Sequence, residues 1–277
     1  MRRFIALVLA AIAVSTLCAA VSGAPSRPIS LDMLRNGQSK LIIGCPDDWG
    51  DLDYRTTKGD FAGMDSDILH EIARRLQIGR LDFRPTKFRD LAPALQAGDI
   101  DVIAATYWIL PERQKVLLFT IPYYDKGGLE AFWLKGTGPF ATPALMAGKR
   151  VGVVEGGYGE TWARVHLHHS TIVPISGTDA DVEKSLEEKQ IDLMVSNNHS
   201  GRSQRGHSMG RDYQRALLVR IPAGFAMRKV DIRLRDAMDR ALRAMRRDGA
   251  LARIESAYPE PDSSISVISR SRPSDVP

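Results

Sequence analysis

The chain has 277 residues, 44% hydrophobic and 26% charged, with 23 Gly and 15 Pro, which is ordinary globular usage and excludes collagen-like and wholly disordered classes. Its 38 basic and 33 acidic residues leave a formal charge of +5, spread along the chain instead of gathered in blocks, so nothing points to nucleic acid. Two cysteines cannot build a disulfide scaffold.

Arg2 and Arg3 precede an apolar run from Phe4 to Val21, and the small residues from Ala19 to Ala24 suit a signal peptidase. Residues 1–24 are therefore expected to be an export signal. Removing them takes Cys18 away and leaves Cys45 as the one thiol, so no intrachain disulfide can form. Leu17, directly before Cys18, is too large for a lipoprotein cleavage site.

A Pro/Ser spacer and a short helix follow, then the apolar stretch Lys40 to Cys45 predicts a buried strand. Asp65 is expected to cap a helix that carries Ile68, Ile72 and Leu76 on one face. LDFRP reads as a strand, FRDLAPALQAG as a helix closing on Gly98, and IDVIAA as a short β-branched strand. This βαβαβ order predicts parallel strands with crossover helices, and ligands bind at the carboxyl ends of such strands.

A second block of the same kind begins near Lys135. KRVGVVEGG is a strand with a glycine turn, YGETWARVHL a helix, TIVPIS a strand, DADVEKSLEEKQ a polar-faced helix and IDLMVS a buried strand. FAMRK supplies one more strand. The last helix sets Leu234, Met238, Ala241 and Met245 on one face and arginines on the other. Residues 259–277 are rich in Pro and Ser and carry few large apolar groups, which predicts a disordered tail. Two α/β lobes are expected.

The segments GMDSDILHEIARRL, FRDLAPALQAGDIDVIAATYWILPERQKVLLFTIPYY, AGKRVGVVEGG and MRKVDIRLRDAMDRALRAMRRDGALARI follow in order between about Leu31 and Tyr258. Together they resemble the bacterial extracellular solute-binding proteins of family 3. The resemblance implies a periplasmic-binding-protein-like type II fold: lobe 1 from residues 31–128 plus 223–258, lobe 2 from residues 129–222, and two hinge crossings near Gly127 to Glu130 and Val219 to Ala223. It also implies a monomeric periplasmic protein without a cofactor or metal, which encloses a small-molecule ligand as its lobes close and hands it to a membrane ABC permease.

At the residues matching the family's motif, the resemblance implies that Arg113 grips the ligand's carboxylate through two parallel charge-assisted hydrogen bonds. Thr106 and Trp108, in the same segment, are further candidate ligand contacts. Phe88 matches an aromatic wall, and Asp48 with Trp49 the acidic and aromatic residues after the first strand. Three positions depart from the pattern. Trp108 stands where Ser or Thr is usual, Gly157 likewise, and Asn197 replaces the aspartate that pairs with an α-ammonium. A buried ammonium facing an amide suffers an uncompensated desolvation cost, which favours a carboxylate-bearing solute over a plain amino acid.

The run VGVVEGGYGE lacks the Lys-Ser/Thr pair of a nucleotide loop, yet the N–H groups at Gly156 and Gly157 are candidates for an anionic ligand group. Glu160 raises an alternative, since cyclohexadienyl dehydratases share this fold and carry a catalytic glutamate in a similar loop. That reading needs a raised pKa, so that Glu160 can protonate a leaving hydroxyl. A further alternative is a sensory or protein-binding descendant with a degenerate cleft. His166, His168 and His169 do not converge on one point of a helix, so no zinc site is expected.

Overall fold

A computed structural model describes residues 28–47, 53–197 and 213–258. The export segment and the tail predicted from the sequence lie outside these residues, as do Asp48 and Trp49. Among the described residues no helix is long and apolar enough to cross a membrane.

Two five-stranded sheets organise the chain. The first is ordered β4-β1-β5-β12-β6, from β1 (Leu41–Cys45), β4 (Leu81–Pro85), β5 (Val102–Ile103), β6 (Leu117–Phe119) and β12 (Ala226–Arg228). β4, β1 and β5 run parallel, and β12 is antiparallel to both β5 and β6. The second is ordered β11-β7-β10-β8-β9, from β7 (Gly128–Leu134), β8 (Arg150–Val154), β9 (Thr171–Ile175), β10 (Leu193–Asn197) and β11 (Tyr213–Arg220). Here β10, β8 and β9 are parallel, while β7 runs antiparallel to its neighbours. β2 (Tyr54–Arg55) and β3 (Phe61–Ala62) form a small separate ribbon. The two α/β lobes expected from the sequence are present.

Both sheets use the same local device. In β1, a Cβ on Gly44 would stand 2.3 Å from Ile100 Cδ1, so only glycine lets Ile100 lie flat on the strand. The next residue, Asp101, accepts the Ile42 N–H at 3.0 Å. In β8, a Cβ on Gly152 would stand 2.2 Å from Ile191 Cδ1, and Asp192 accepts the Arg150 N–H at 2.7 Å. An Ile-Asp pair thus locks each central strand, the isoleucine by packing and the carboxylate by closing a strand-end donor.

Helices cover these sheets. α2 (Met64–Leu76) buries Ile68, Ile72 and Leu76 as its spacing predicts, together with Met64 and Leu69. Its start differs from the expectation. The N-cap is Gly63 without a side-chain cap, and Asp65 turns inward to full burial. The segment read as one helix after LDFRP is a 3-10 turn (Phe88–Asp90) followed by α3 (Leu91–Ala97). α7 (Ile232–Arg247) buries Leu234, Met238, Ala241 and Met245 and exposes Arg233, Arg240, Arg243 and Arg247. Each buried large side chain contributes roughly 1.5–3 kcal/mol relative to exposure.

The chain passes between the sheets twice, and the two passages lie side by side. Ile221 N–H donates to the Gly127 carbonyl at 3.0 Å, and Ala223 N–H to the Tyr124 carbonyl at 2.8 Å. Gly128 opens β7 at φ +157, where a Cβ would stand 1.9 Å from the Val219 carbonyl oxygen. The crossings approach so closely because one of them is glycine.

Candidate functional site

The segment after β5 turns sharply and leads into α4 (Pro111–Val116). Thr106 occupies the left-handed region at φ +43, which is strained for a β-branched residue. Its N–H donates to Asp65 Oδ2 at 2.6 Å, and that carboxylate holds the turn in place. The segment is also tied to the second crossing: Ile109 N–H donates to the Pro222 carbonyl at 2.9 Å, and Gly224 N–H to the Tyr107 carbonyl at 3.1 Å.

Arg113 sits on α4, half-buried. Its Nη1 donates to the Trp108 carbonyl at 3.2 Å. The guanidinium carbon stands 4.0 Å from the centroid of the Tyr107 ring and 5.6 Å from that of Phe88. Among the described residues no carboxylate pairs with it. Burial pulls its pKa down, opposed by Tyr107, Glu112 and Tyr158. A half-buried cation lying on aromatic faces without a described carboxylate partner has the chemistry to take an anion.

Trp108 is buried, its ring meeting that of Tyr158 edge to face at 5.8 Å and 80°. Tyr158 opens α5 (Tyr158–His166), which follows β8 of the other sheet, so this contact joins the two lobes. Burial raises the phenol's pKa, and Glu112 and Arg113, both of the first lobe, act on it with opposite sign. Tyr158 and Tyr107 were not singled out from the sequence. The aromatic residue directly after the glycine pair was the available signal for Tyr158. Phe88 is 36% exposed with its ring 5.5 Å from that of Tyr107, beside the arginine and not in the core.

Gly156 and Gly157 differ from the expectation. The Gly156 N–H donates to Glu160 Oε2 at 2.7 Å, and the Gly157 N–H to the Val154 carbonyl at 3.0 Å. Both donors that the sequence offered to an anion are consumed within the turn. Glu160 is corrected by the same geometry. Its carboxylate accepts from Gly156 N–H and from Arg164 at 2.6 Å, and these bonds lower its pKa, the Gly156 bond foremost. A general acid for dehydration needs the opposite shift.

Asn197 ends β10 and donates to Asp179 Oδ2 at 3.3 Å, while the Ser196 hydroxyl bonds the other oxygen of that carboxylate. Asp179 is the first residue of α6 (Asp179–Glu187). A carboxylate therefore stands next to the amide that replaces the family's aspartate, supplied from a different element and invisible to motif matching. His166 Nδ1 bonds the Trp162 carbonyl at 2.8 Å, and its ring stacks on Trp162. Among the described residues no three metal-binding side chains converge. Cys45 is a buried core residue whose thiol pKa is pushed up, by burial first.

The model of the bacterial extracellular solute-binding proteins, family 3, matches residues 41–260. The chain belongs to that family. The histidine-binding periplasmic protein of Salmonella typhimurium is 26% identical over 228 residues, which is 79% of this chain and 87% of the relative. Among solved structures, the P235GK mutant of the arginine-binding protein of T. maritima superposes with a TM-score of 0.67 at 25% identity, covering 83% of this chain and 99% of that one. An ancestral amino acid-binding protein, described as a precursor of cyclohexadienyl dehydratase, shares the fold at a TM-score of 0.69 and 23% identity over 82% of this chain and 98% of that one. The named relatives are binding proteins, and this chain is a member of the solute-binding family.

Proposed function

We propose that this solute-binding protein captures a small carboxylate-bearing solute, an amino acid or an organic acid, between its lobes in the periplasm and delivers it as a monomer to an ABC permease. Arg113 carries the reading: a guanidinium held at the junction of the lobes, laid on Tyr107 and unpaired with any described carboxylate, has an open charge for a ligand to fill. Tyr158 reaches the same place from the second lobe, so a solute bound there touches both lobes and favours their closed arrangement. Because the 107–109 segment is bonded to the second crossing, filling the site and setting the hinge are linked through Ile109 and Gly224.

The histidine-binding relative and the arginine-binding neighbour support an amino acid as cargo. Asp179, beside Asn197, supplies negative charge near the position where an α-ammonium would need it, so the loss of the aspartate at residue 197 does not remove amino acids from the class.

The test is a thermal-shift screen of amino acids and small organic acids, followed by calorimetric titration of the hits, since a ligand bound only by the native state raises its melting point. At least one carboxylate-bearing solute is expected to shift the melting temperature, and its amide or alcohol counterpart is not. Binding that ignores the carboxylate would sink the reading. Tyr158→Ala is expected to weaken the best ligand about tenfold by removing the second lobe's contact, with melting of the free protein lowered by the loss of its edge contact on Trp108, worth about 1 kcal/mol. Prephenate is expected to show no turnover, and Glu160→Gln to leave binding within about twofold, because Glu160 is occupied by Gly156 and Arg164.

A further inference from the structure

Among the described residues, every buried side-chain oxygen or nitrogen that lacks a hydrogen-bond partner belongs to one cluster: both oxygens of Asp53, Oδ1 of Asp65, the Thr106 hydroxyl and the Tyr123 hydroxyl. Asp53 and Asp65 are each 0% exposed. Four elements bring these groups together: the stretch leading into β2, the first turn of α2, the turn after β5 and the segment between β6 and β7. No lysine, arginine or histidine among the described residues pairs with either carboxyl. The other titratable groups nearby are the buried Cys45 thiol at the end of β1, and Asp47 and Arg55, which pair with each other at 3.6 Å. Two buried carboxyls without a cation cannot both be charged at acceptable cost, so a proton is retained between them.

Only one of the two has a structural task. Asp65 Oδ2 receives the Thr106 N–H at 2.6 Å and holds Thr106 at φ +43, two residues before the carbonyl that Arg113 grips. We propose that Asp65 is the positioning residue of the anion site, that Asp53 shares its proton, and that the charge on this pair sets how firmly the Thr106 turn is held. The consequence for solute capture rests on the solute-binding reading above, but the pair itself is testable without any ligand.

The balance is a single proton. At neutral pH the ionised member is Asp65, whose charge is stabilised by the Thr106 N–H and faced by the Thr106 and Tyr123 hydroxyls. Burial pushes it up to about 6, and pushes Asp53, beside it, up as well. As pH falls through that value, Asp65 takes up a proton, its hydrogen bond to Thr106 loses the charge-assisted part, and the turn slackens. The sign for stability is opposite to that of an ordinary salt-bridged aspartate. A raised native pKa means that the folded chain holds protons more tightly than the unfolded one, so stability is highest below the ordinary carboxylate range and falls as pH rises towards 6 and beyond.

Proton–nitrogen NMR of the labelled full chain tests this at the Thr106 amide. The amide is expected far downfield at about pH 8, and to move through one titration near pH 6. Asp65→Asn is expected to abolish the titration. Asp53→Asn is expected to leave the midpoint near 6, because burial and not a charge on Asp53 raises Asp65, and to flatten the loss of melting temperature that the unaltered protein shows above about pH 6, which belongs to Asp53. Should Asp65→Asn fail to fold, the melting profile of Asp53→Asn decides alone, an unflattened loss above about pH 6 overturning the shared proton. A Thr106 amide that ignores pH in this window, a melting temperature that rises across it, or one that depends on added calcium or sodium at fixed pH would overturn the proposal, the last by showing a metal ion in the proton's place. A failed ligand screen touches none of these readouts, so the two readings fail separately.

Discussion

Arg113→Ala is expected to weaken solute binding at least about 100-fold, because it deletes the charge-assisted, bidentate contact that the proposed function assigns to this guanidinium. The same substitution is expected to leave the free protein as stable as before, or slightly more so. The guanidinium has no described carboxylate partner and burial already depresses its pKa, so the folded chain bears an uncompensated cost to hold it. What is lost locally is its hydrogen bond to the Trp108 carbonyl and its place on the Tyr107 ring, together about 1–2 kcal/mol, against the relief of a buried charge. Arg113→Lys separates charge from geometry. An ammonium keeps the sign but not the planar fork, and about a tenfold or greater loss is expected. Calorimetric titration with the best ligand of the thermal-shift screen, beside urea unfolding of each variant, reads both quantities. Unchanged affinity in Arg113→Ala, or a stability loss large enough to explain the affinity loss, would remove Arg113 from the site.

Gly128→Ala is expected to cost roughly 3–5 kcal/mol of stability, one of the largest effects of any single methyl in this chain. The added carbon would lie 1.9 Å from the Val219 carbonyl oxygen, and what it meets is backbone, not a side chain that can swing aside. Relief requires the two crossings to separate, which strains the Ile221 N–H bond to the Gly127 carbonyl. The control is Gly156→Ala. Gly156 also has a positive φ, +71, but nothing lies within 4 Å of its would-be Cβ, so only backbone strain of about 1 kcal/mol is expected. Urea midpoints of the two variants check the difference. Equal losses would show that backbone conformation, and not the close approach of the crossings, is what glycine supplies at residue 128. A folded Gly128→Ala protein is also expected to bind solute more weakly, since the crossings set the angle at which Tyr158 meets Trp108.

Periodicity and composition were enough for the elements whose burial is decided locally. A helix that buries one face must repeat apolar residues every three to four positions, and α2 and α7 do so whatever they pack against. The apolar runs of β1, β8 and β10 announce strands covered on both faces. Family motifs then gave the arrangement of two lobes and singled out Arg113 as a candidate. Strands β6, β7 and β11 were not read from the sequence, because they are antiparallel additions whose pairing partners lie far away in the chain, as Leu217↔Glu130 across β11 and β7 illustrates.

The roles of single polar residues were decided by the tertiary structure alone. Asp65 reads as a helix cap in sequence, since Asp near a helix start is favoured by propensity, yet the fold turns it inward onto Thr106. Glu160 reads as a candidate acid until Arg164 and the Gly156 N–H are seen on it, and Asn197 reads as a lost charge until Asp179 appears beside it. The physical reason is common to all three. Hydrophobic burial is summed over many residues and leaves a periodic trace along the chain, whereas the charge and hydrogen bonding of one carboxylate depend on the few atoms the fold sets at hydrogen-bond distance from it, which leave no such trace.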